Sequence, residues 1–271
     1  MFDLITLSIA MLLTGVLGGI LAGLLGVGGG IVIVPMLEFA MGVAGVDPSI
    51  RMHVAVATSL AIIIPTSISS SRAHFKRQSV DVALAKKWAV WIFVGALTGT
   101  WIASQVHSRV LTGVFAGVAI LVAFKMIIPM DKKTLSKGIP KSPAIASVPV
   151  LIGLISTMMG IGGGSLSVPV LSAFGEPIHR AVGTAALFGL LIAIPGTLGF
   201  MIAGYSNPLL PAGSIGFVNF IGLALIAPTS VLAAPFGARL AHSMNQRQLS
   251  LLFGSFLVLV AVRMLMRTWS G

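Results

Sequence analysis

The chain has 271 residues, 56% of them hydrophobic and only 8% charged, with 17 Lys and Arg against 6 Asp and Glu for a formal charge of +11. A soluble domain carries about a quarter charged residues, so this composition, with a mean hydropathy of +1.06, points to an integral membrane protein without a sizeable soluble domain. The absence of cysteine excludes disulfides, thiolate metal sites and thiol nucleophiles.

The amino-terminal stretch MFDLITLSIAMLLTG carries Asp3 and no basic run, so it reads as a retained membrane segment rather than a cleavable signal peptide. Apolar runs span 4–25, 31–45, 54–70, 88–104, 110–130, 144–160, 165–175, 181–204, 214–234 and 249–267. As helices rising ~1.5 Å per residue, most can cross a hydrocarbon core of ~30 Å. The runs 31–45 and 165–175 are short, and each follows a glycine run. Non-helical backbone inside a bilayer must be covered by protein or line a watery cavity, so both glycine runs belong to the interior. Whether these short segments span or enter and return is open at this level.

In the first run Gly15, Gly19 and Gly23 stand four apart, as do Gly95, Gly99 and Ala103 further on, a spacing that lets helices pack closely in lipid. Gly28, Gly29 and Gly30 then break the helix and open a short new one, whose free amides and positive dipole end favour an anion. A tight helix crossing is the plainer reading of the same glycines. Glu38 is the one carboxylate well inside an apolar run: it is either a coupling group or a charge solvated at its helix end. His53 is either interfacial or a proton carrier. Arg51 either draws an anion to one mouth of a pathway or simply snorkels. Thr58 and Ser59 either donate to substrate oxygens or bond back to helix carbonyls.

Arg72, Lys76, Arg77, Lys86 and Lys87 fall at 71–87, and Lys132, Lys133, Lys137 and Lys141 in a linker. Both stretches read as cytoplasmic by the positive-inside rule. They lack the aromatic interleaving of a nucleic-acid surface.

The second half repeats the first. Gly162, Gly163, Gly164 and Ser165 stand where Gly28 to Ile31 stand, His179 and Thr184 match His53 and Thr58, and 95–126 aligns without gaps to 233–264. Arg180 lies beside the second motif as Arg51 does beside the first. The expected fold is all-α integral membrane, with residues 1–130 and 144–271 as two repeats of five membrane segments joined by a cytoplasmic linker at 131–143. An odd number of segments per copy, and an uncharged 205–213 opposite the basic 71–87, predict inverted repeats with both termini outside.

The doubled Gly-x-Gly-Gly-Gly-x-x-x-Val-Pro motif, at Gly26–Pro35 and Gly160–Pro169, is followed in each copy by Ala-Val-x-Thr, at Ala55–Thr58 and Ala181–Thr184. This pattern resembles the TauE/SafE sulfite-exporter family across almost the whole chain. The resemblance implies a prokaryotic inner-membrane permease for a small anion such as sulfite or another organosulfur compound. Alternating-access secondary transport is the expected function, with a passive anion channel as the alternative. A membrane-embedded enzyme lacks its parts: no paired carboxylates, no Ser/His/Asp set and no metal cluster are spaced for chemistry. No cofactor is expected. The expected partners are the anionic substrate, a coupling proton or cation, and lipid. Because Ile31 and Ile33 face Ser165 and Ser167 in the repeat, the half-sites are unequal, and the anion is expected nearer 162–166 than 28–32.

Overall fold

The computed structural model describes residues 4–25, 29–128, 146–242 and 246–269. The linker expected at 131–143, both chain termini and Gly28 lie outside the described residues. Ten helices correspond to the ten apolar runs in order: α1 Leu4–Leu25, α2 Gly30–Val43, α3 Pro48–Lys76, α4 Val82–Gln105, α5 Ser108–Ile127, α6 Ser147–Met159, α7 Gly164–Ala173, α8 Ile178–Ala203, α9 Phe220–His242 and α10 Gln246–Trp269. Among the described residues α3, α4, α5 and α8 are long and apolar enough to cross a membrane. Trp101, Ile202 and Leu232 are 68%, 78% and 79% exposed, as side chains facing hydrocarbon rather than water would be.

Two expected boundaries move. The basic stretch at 71–87 is mostly helical: α3 continues to Lys76, α4 begins at Val82, and only 77–81 turns. The apolar run stops before the helix does, because Ser69 to Lys76 are mostly polar yet still good enough helix formers to carry α3 about two turns further. Asp81 then caps α4 by accepting the Leu84 N–H at 2.9 Å. At the other end of the molecule, 214–219 is not the start of a membrane helix. Gly213 and Gly216 have φ of 76° and 56°, and the chain forms a two-residue hairpin, β1 Ser214–Ile215 with β2 Val218–Asn219.

The packing interleaves the halves. Gly15 lies against Ile226 and Thr229, and Gly19 against Ser230, so α1 runs parallel to α9. Gly95 against Val150 and Gly99 against Leu154 make α4 and α6 the corresponding pair. Helices α3 and α8 cross at the centre, antiparallel, with Leu60 beside Gly196 and Ile63 beside Gly189. In each of these close pairs a glycine removes the Cβ that would hold the backbones apart.

The short helices return to the end from which their hairpins enter. Helix α6 follows α4 until Gly160, at φ 66°, ends it with a bond from the Ile161 N–H to the Ser156 carbonyl at 2.9 Å. The chain then doubles back, and Gly163 sits against Phe188 and Gly189 of α8. That point is ~15 Å from the start of α8, the distance the ten residues of α7 cover on their way back. Likewise α2 begins at Gly30 beside Ile63, roughly 22 Å into α3, and its 14 residues climb about 21 Å to the α2–α3 turn. The α1–α2 and α6–α7 hairpins therefore enter from opposite ends, and their tips meet: a Cβ on Gly30 would stand 2.9 Å from Ile161 Cα. Matching turns close both, with Gly45 and Gly175 at φ 75° and 83°.

Candidate functional site

Beside the second hairpin tip lies a cavity of about 70 Å³ between α3, α7 and α8. By the measure at which one water takes ~10–15 Å³, this holds about five waters, the room of a small anion with little else. Gly162, Gly163 and Gly164 form its floor, and Thr66, Ser67 and Ser70 line its α3 wall. It extends from the tip toward the end that carries Arg72, Lys76 and Arg77, its outer lining reaching Ser70 and Val182.

The chemistry of the floor follows from helix geometry. The amides of Gly164, Ser165 and Leu166 are in the first turn of α7 and have no carbonyl one turn back to bond. The first backbone bond of that turn is the Ser167 N–H to the Gly163 carbonyl at 2.9 Å. The positive end of α7 therefore stands at the cavity, where a negative charge is favoured. On the facing wall Ser67 and Ser70 lie three residues apart on one side of α3, both half-buried and both lining the cavity. The Thr66 hydroxyl is engaged with the Ile62 and Ile63 carbonyls at 3.1 Å each. Donors thus converge from two elements, and among the described residues no carboxylate lines the cavity to repel an anion.

Among its described residues, the first tip is apolar and closely packed. Gly29 caps α2 in the left-handed region at φ 75°, and its carbonyl accepts from the Val32 and Ile33 N–H groups at 2.9 Å. Ile31 and Ile33 are 1% and 2% exposed and belong to the apolar core. Isoleucines thus pack into the apolar core just after the first glycine run, where serines follow the second.

Several expected site residues hold the fold together. The Ser59 hydroxyl donates to the Gly160 carbonyl at 2.7 Å, tying α3 to the hairpin tip. Thr58 accepts the Asn219 N–H at 3.0 Å, and Thr184 accepts the Asp81 N–H at 2.9 Å. Asn219 and Asp81 stand at the starts of α9 and α4, so the paired threonines do the same task, each for a helix of the other copy. Ser165 and Ser167 are buried and their hydroxyls have no partner, yet only Gly164 and Val168 of the helix line the cavity. Ser165 therefore stands in the first turn of α7 but outside the cavity lining.

The coupling candidates lie apart from the cavity. Glu38 faces Arg51 at 3.7 Å, and Arg51 also donates to the Val46 carbonyl at 2.6 Å. The pair fastens α2 to α3 close to their connecting turn. His53 Nε2 lies 3.1 Å from both the Ala103 and Val106 carbonyls, so that nitrogen carries the proton, and the ring stacks on Phe217 at 5.0 Å. Phe217 meets Phe200 edge-on at 6.4 Å. This aromatic cluster, inserted by the β-hairpin, fills the end of the molecule opposite the cavity. His179 and Arg180 are exposed at the start of α8. Among the described residues no three His, Cys, Asp or Glu side chains come together.

Sequence reasoning did not single out Thr66, Ser67 and Ser70. Their signal was available: three hydroxyls on one helix face at the end of an otherwise apolar run.

The family model described as "Sulfite exporter TauE/SafE" matches residues 11–264. A probable membrane transporter protein of Haemophilus influenzae is 33% identical, over 97% of this chain and 99% of its own length. The probable membrane transporter protein YunE of Bacillus subtilis is 25% identical over 95% and 97% of the two chains. Another, from Methanocaldococcus jannaschii, is 24% identical over 98% of both. No solved structure matches at a significant level. With its helices, its repeated glycine hairpins and a match spanning nearly its full length, the chain belongs to the TauE/SafE sulfite-exporter family of multi-pass membrane transporters.

Proposed function

We propose that the chain is a secondary transporter of a prokaryotic inner membrane that moves one small anion, sulfite or a small organosulfur compound, by alternating access between inverted repeats. The observation that carries this reading is the cavity at the α7 N-terminus. It offers backbone amides on one wall and the Ser67 and Ser70 hydroxyls on the other, near the middle of the long helices. Half-helix ends supply positive potential there without the cost of burying a lysine or arginine in hydrocarbon. The cavity's size favours an inorganic oxyanion or a very small sulfonate over an aryl compound.

The parallel pairing of α1 with α9 and of α4 with α6 supports inversion, since these are the same two positions of the unit taken once from each copy. With the basic stretch at 71–87 cytoplasmic, the cavity faces the cytoplasm. The other side is closed by Ser59 on Gly160, by the Phe217–His53–Phe200 cluster and by the Glu38–Arg51 pair. A pathway open at one side and shut at the other supports a carrier rather than a channel.

The test is uptake and binding of sulfite, sulfate, thiosulfate and small sulfonates by the purified protein in liposomes, with Ser67→Ala/Ser70→Ala alongside. The double variant should weaken binding of the transported anion by about 1–3 kcal/mol, from two hydroxyl donors of ~0.5–1.5 each, and leave the melting temperature unchanged. Unaltered affinity would place the anion elsewhere. Accumulation against a gradient separates carrier from channel.

A further inference from the structure

On the lateral surface, away from the anion cavity, α2, α5 and α10 enclose a groove of about 1030 Å³. Its lining is apolar except at two points: Ser255 at the deep end and Arg263 toward the other. Along α10 the groove reaches from Ser255 to Met266, eleven residues or ~16 Å, about half of a ~30 Å hydrocarbon core. Its length is therefore that of one leaflet.

Arg263 sits six residues before Trp269, the last described residue of α10, roughly 9 Å below that end. A long arginine stem can lift its guanidinium from there toward the headgroup level. The guanidinium carbon lies 4.3 Å from the centre of the Phe39 ring. Stacking on the ring face fixes the plane of the group and leaves its N–H edge available for a bidentate anion. Among the described residues its charge has no carboxylate partner: the one ion pair present joins Glu38 to Arg51. The whole chain holds only six acidic residues.

An apolar trough one leaflet long, with an uncompensated cation at the headgroup end, has the chemistry of a phospholipid. We propose that this groove binds an anionic phospholipid, one acyl chain running past Leu259 and Val258 to Ser255 and Ile127, and the phosphate held by Arg263 against Phe39. The bound lipid would lie in the leaflet opposite the basic stretch at 71–87 and seal α10 against the α1–α2 hairpin.

The experiment is native mass spectrometry of the full-length protein from mild detergent, offered phosphatidylglycerol and phosphatidylcholine of matched chains. The wild type should retain phosphatidylglycerol in preference by about fivefold, the weight of one basic residue at a charged membrane surface. Arg263→Gln should lose the preference and Arg263→Lys should keep it, which separates lost charge from lost folding. Ser255→Trp, filling the deep end, should reduce retention of both lipids. Equal retention of the two lipids by the wild type, or an undiminished preference in Arg263→Gln, would overturn the proposal. So would efficient disulfide pairing of Leu259→Cys between copies in bilayers, because a second copy would then cover the groove.

Discussion

Adjacent glycines on the cavity floor should respond to the same methyl group in opposite ways. A Cβ on Gly162 would meet only the Ile63 side chain, at 3.4 and 3.8 Å, which is ordinary contact. Alanine fits there without strain, and by restricting the unfolded chain it adds about 0.4–1 kcal/mol of stability. A Cβ on Gly163 would stand 2.6 Å from Phe188 Cβ and 3.0 Å from the Gly189 nitrogen. Backbone cannot yield as a side-chain end can, so Gly163→Ala should destabilise by ~1–3 kcal/mol. Function should divide differently. The Gly162 methyl projects into a cavity of about 70 Å³ and displaces roughly one of some five waters' worth of room. An anion pushed off the first-turn amides by that amount loses at least ~1.4 kcal/mol, a factor of ten in affinity. Thermal melts in detergent and anion uptake into liposomes should therefore show Gly162→Ala as stable and impaired, and Gly163→Ala as unstable. Wild-type uptake by a well-folded Gly162→Ala protein would refute the placement of the anion.

Other consequences can be checked separately. Thr184→Val should leave the half-buried Asp81 N–H unpaired at about 1 kcal/mol and speed amide exchange at the start of α4, with no change in anion affinity; an affinity loss would make Thr184 a direct contact. Glu38→Gln should lower the melting temperature by loosening α2 from α3, by ~1–3 kcal/mol for a charge-assisted contact. If the pH profile of uptake also shifts, Glu38 is a coupling group as well. A cysteine replacing the exposed Ser206 should react with an impermeant reagent added outside, and one replacing Arg77 should not; the reverse pattern would invert the proposed orientation.

All ten helices were legible because a bilayer imposes long apolar runs that local sequence cannot disguise. The details that escaped had local causes. Both α3 and α4 include polar residues such as Arg72 and Lys86 at their ends, which a hydropathy reading takes for loop. Residues 214–219 are apolar because they plug the fold, and only Gly213, Gly216 and Asn219 betray the hairpin. Return of the short helices was illegible because a hairpin and a double crossing leave every later segment on the same side. The glycine breaks could be picked out, and so could the contrast between the copies, Ser165 and Ser167 against Ile31 and Ile33. Which hydroxyls face the cavity could not, because it depends on the rotation of α3 and α7 about their axes. That rotation turned Ser67 inward and Ser165 aside.

The interleaving of the halves has a consequence for how the protein is made. Helix α1 docks along α9, with residue 15 beside residue 226, so about two hundred further residues must be synthesised before its final neighbour exists. At ~5–20 residues per second that is roughly 10–40 s. The amino-terminal half likewise leaves the ribosome with the start of α4 lacking the Thr184 oxygen and Thr58 lacking Asn219. Neither half can therefore mature by itself. During biogenesis the glycine stripe of α1 waits in the membrane against lipid or an insertion factor, and helix–helix assembly is completed late, when the last two helices arrive.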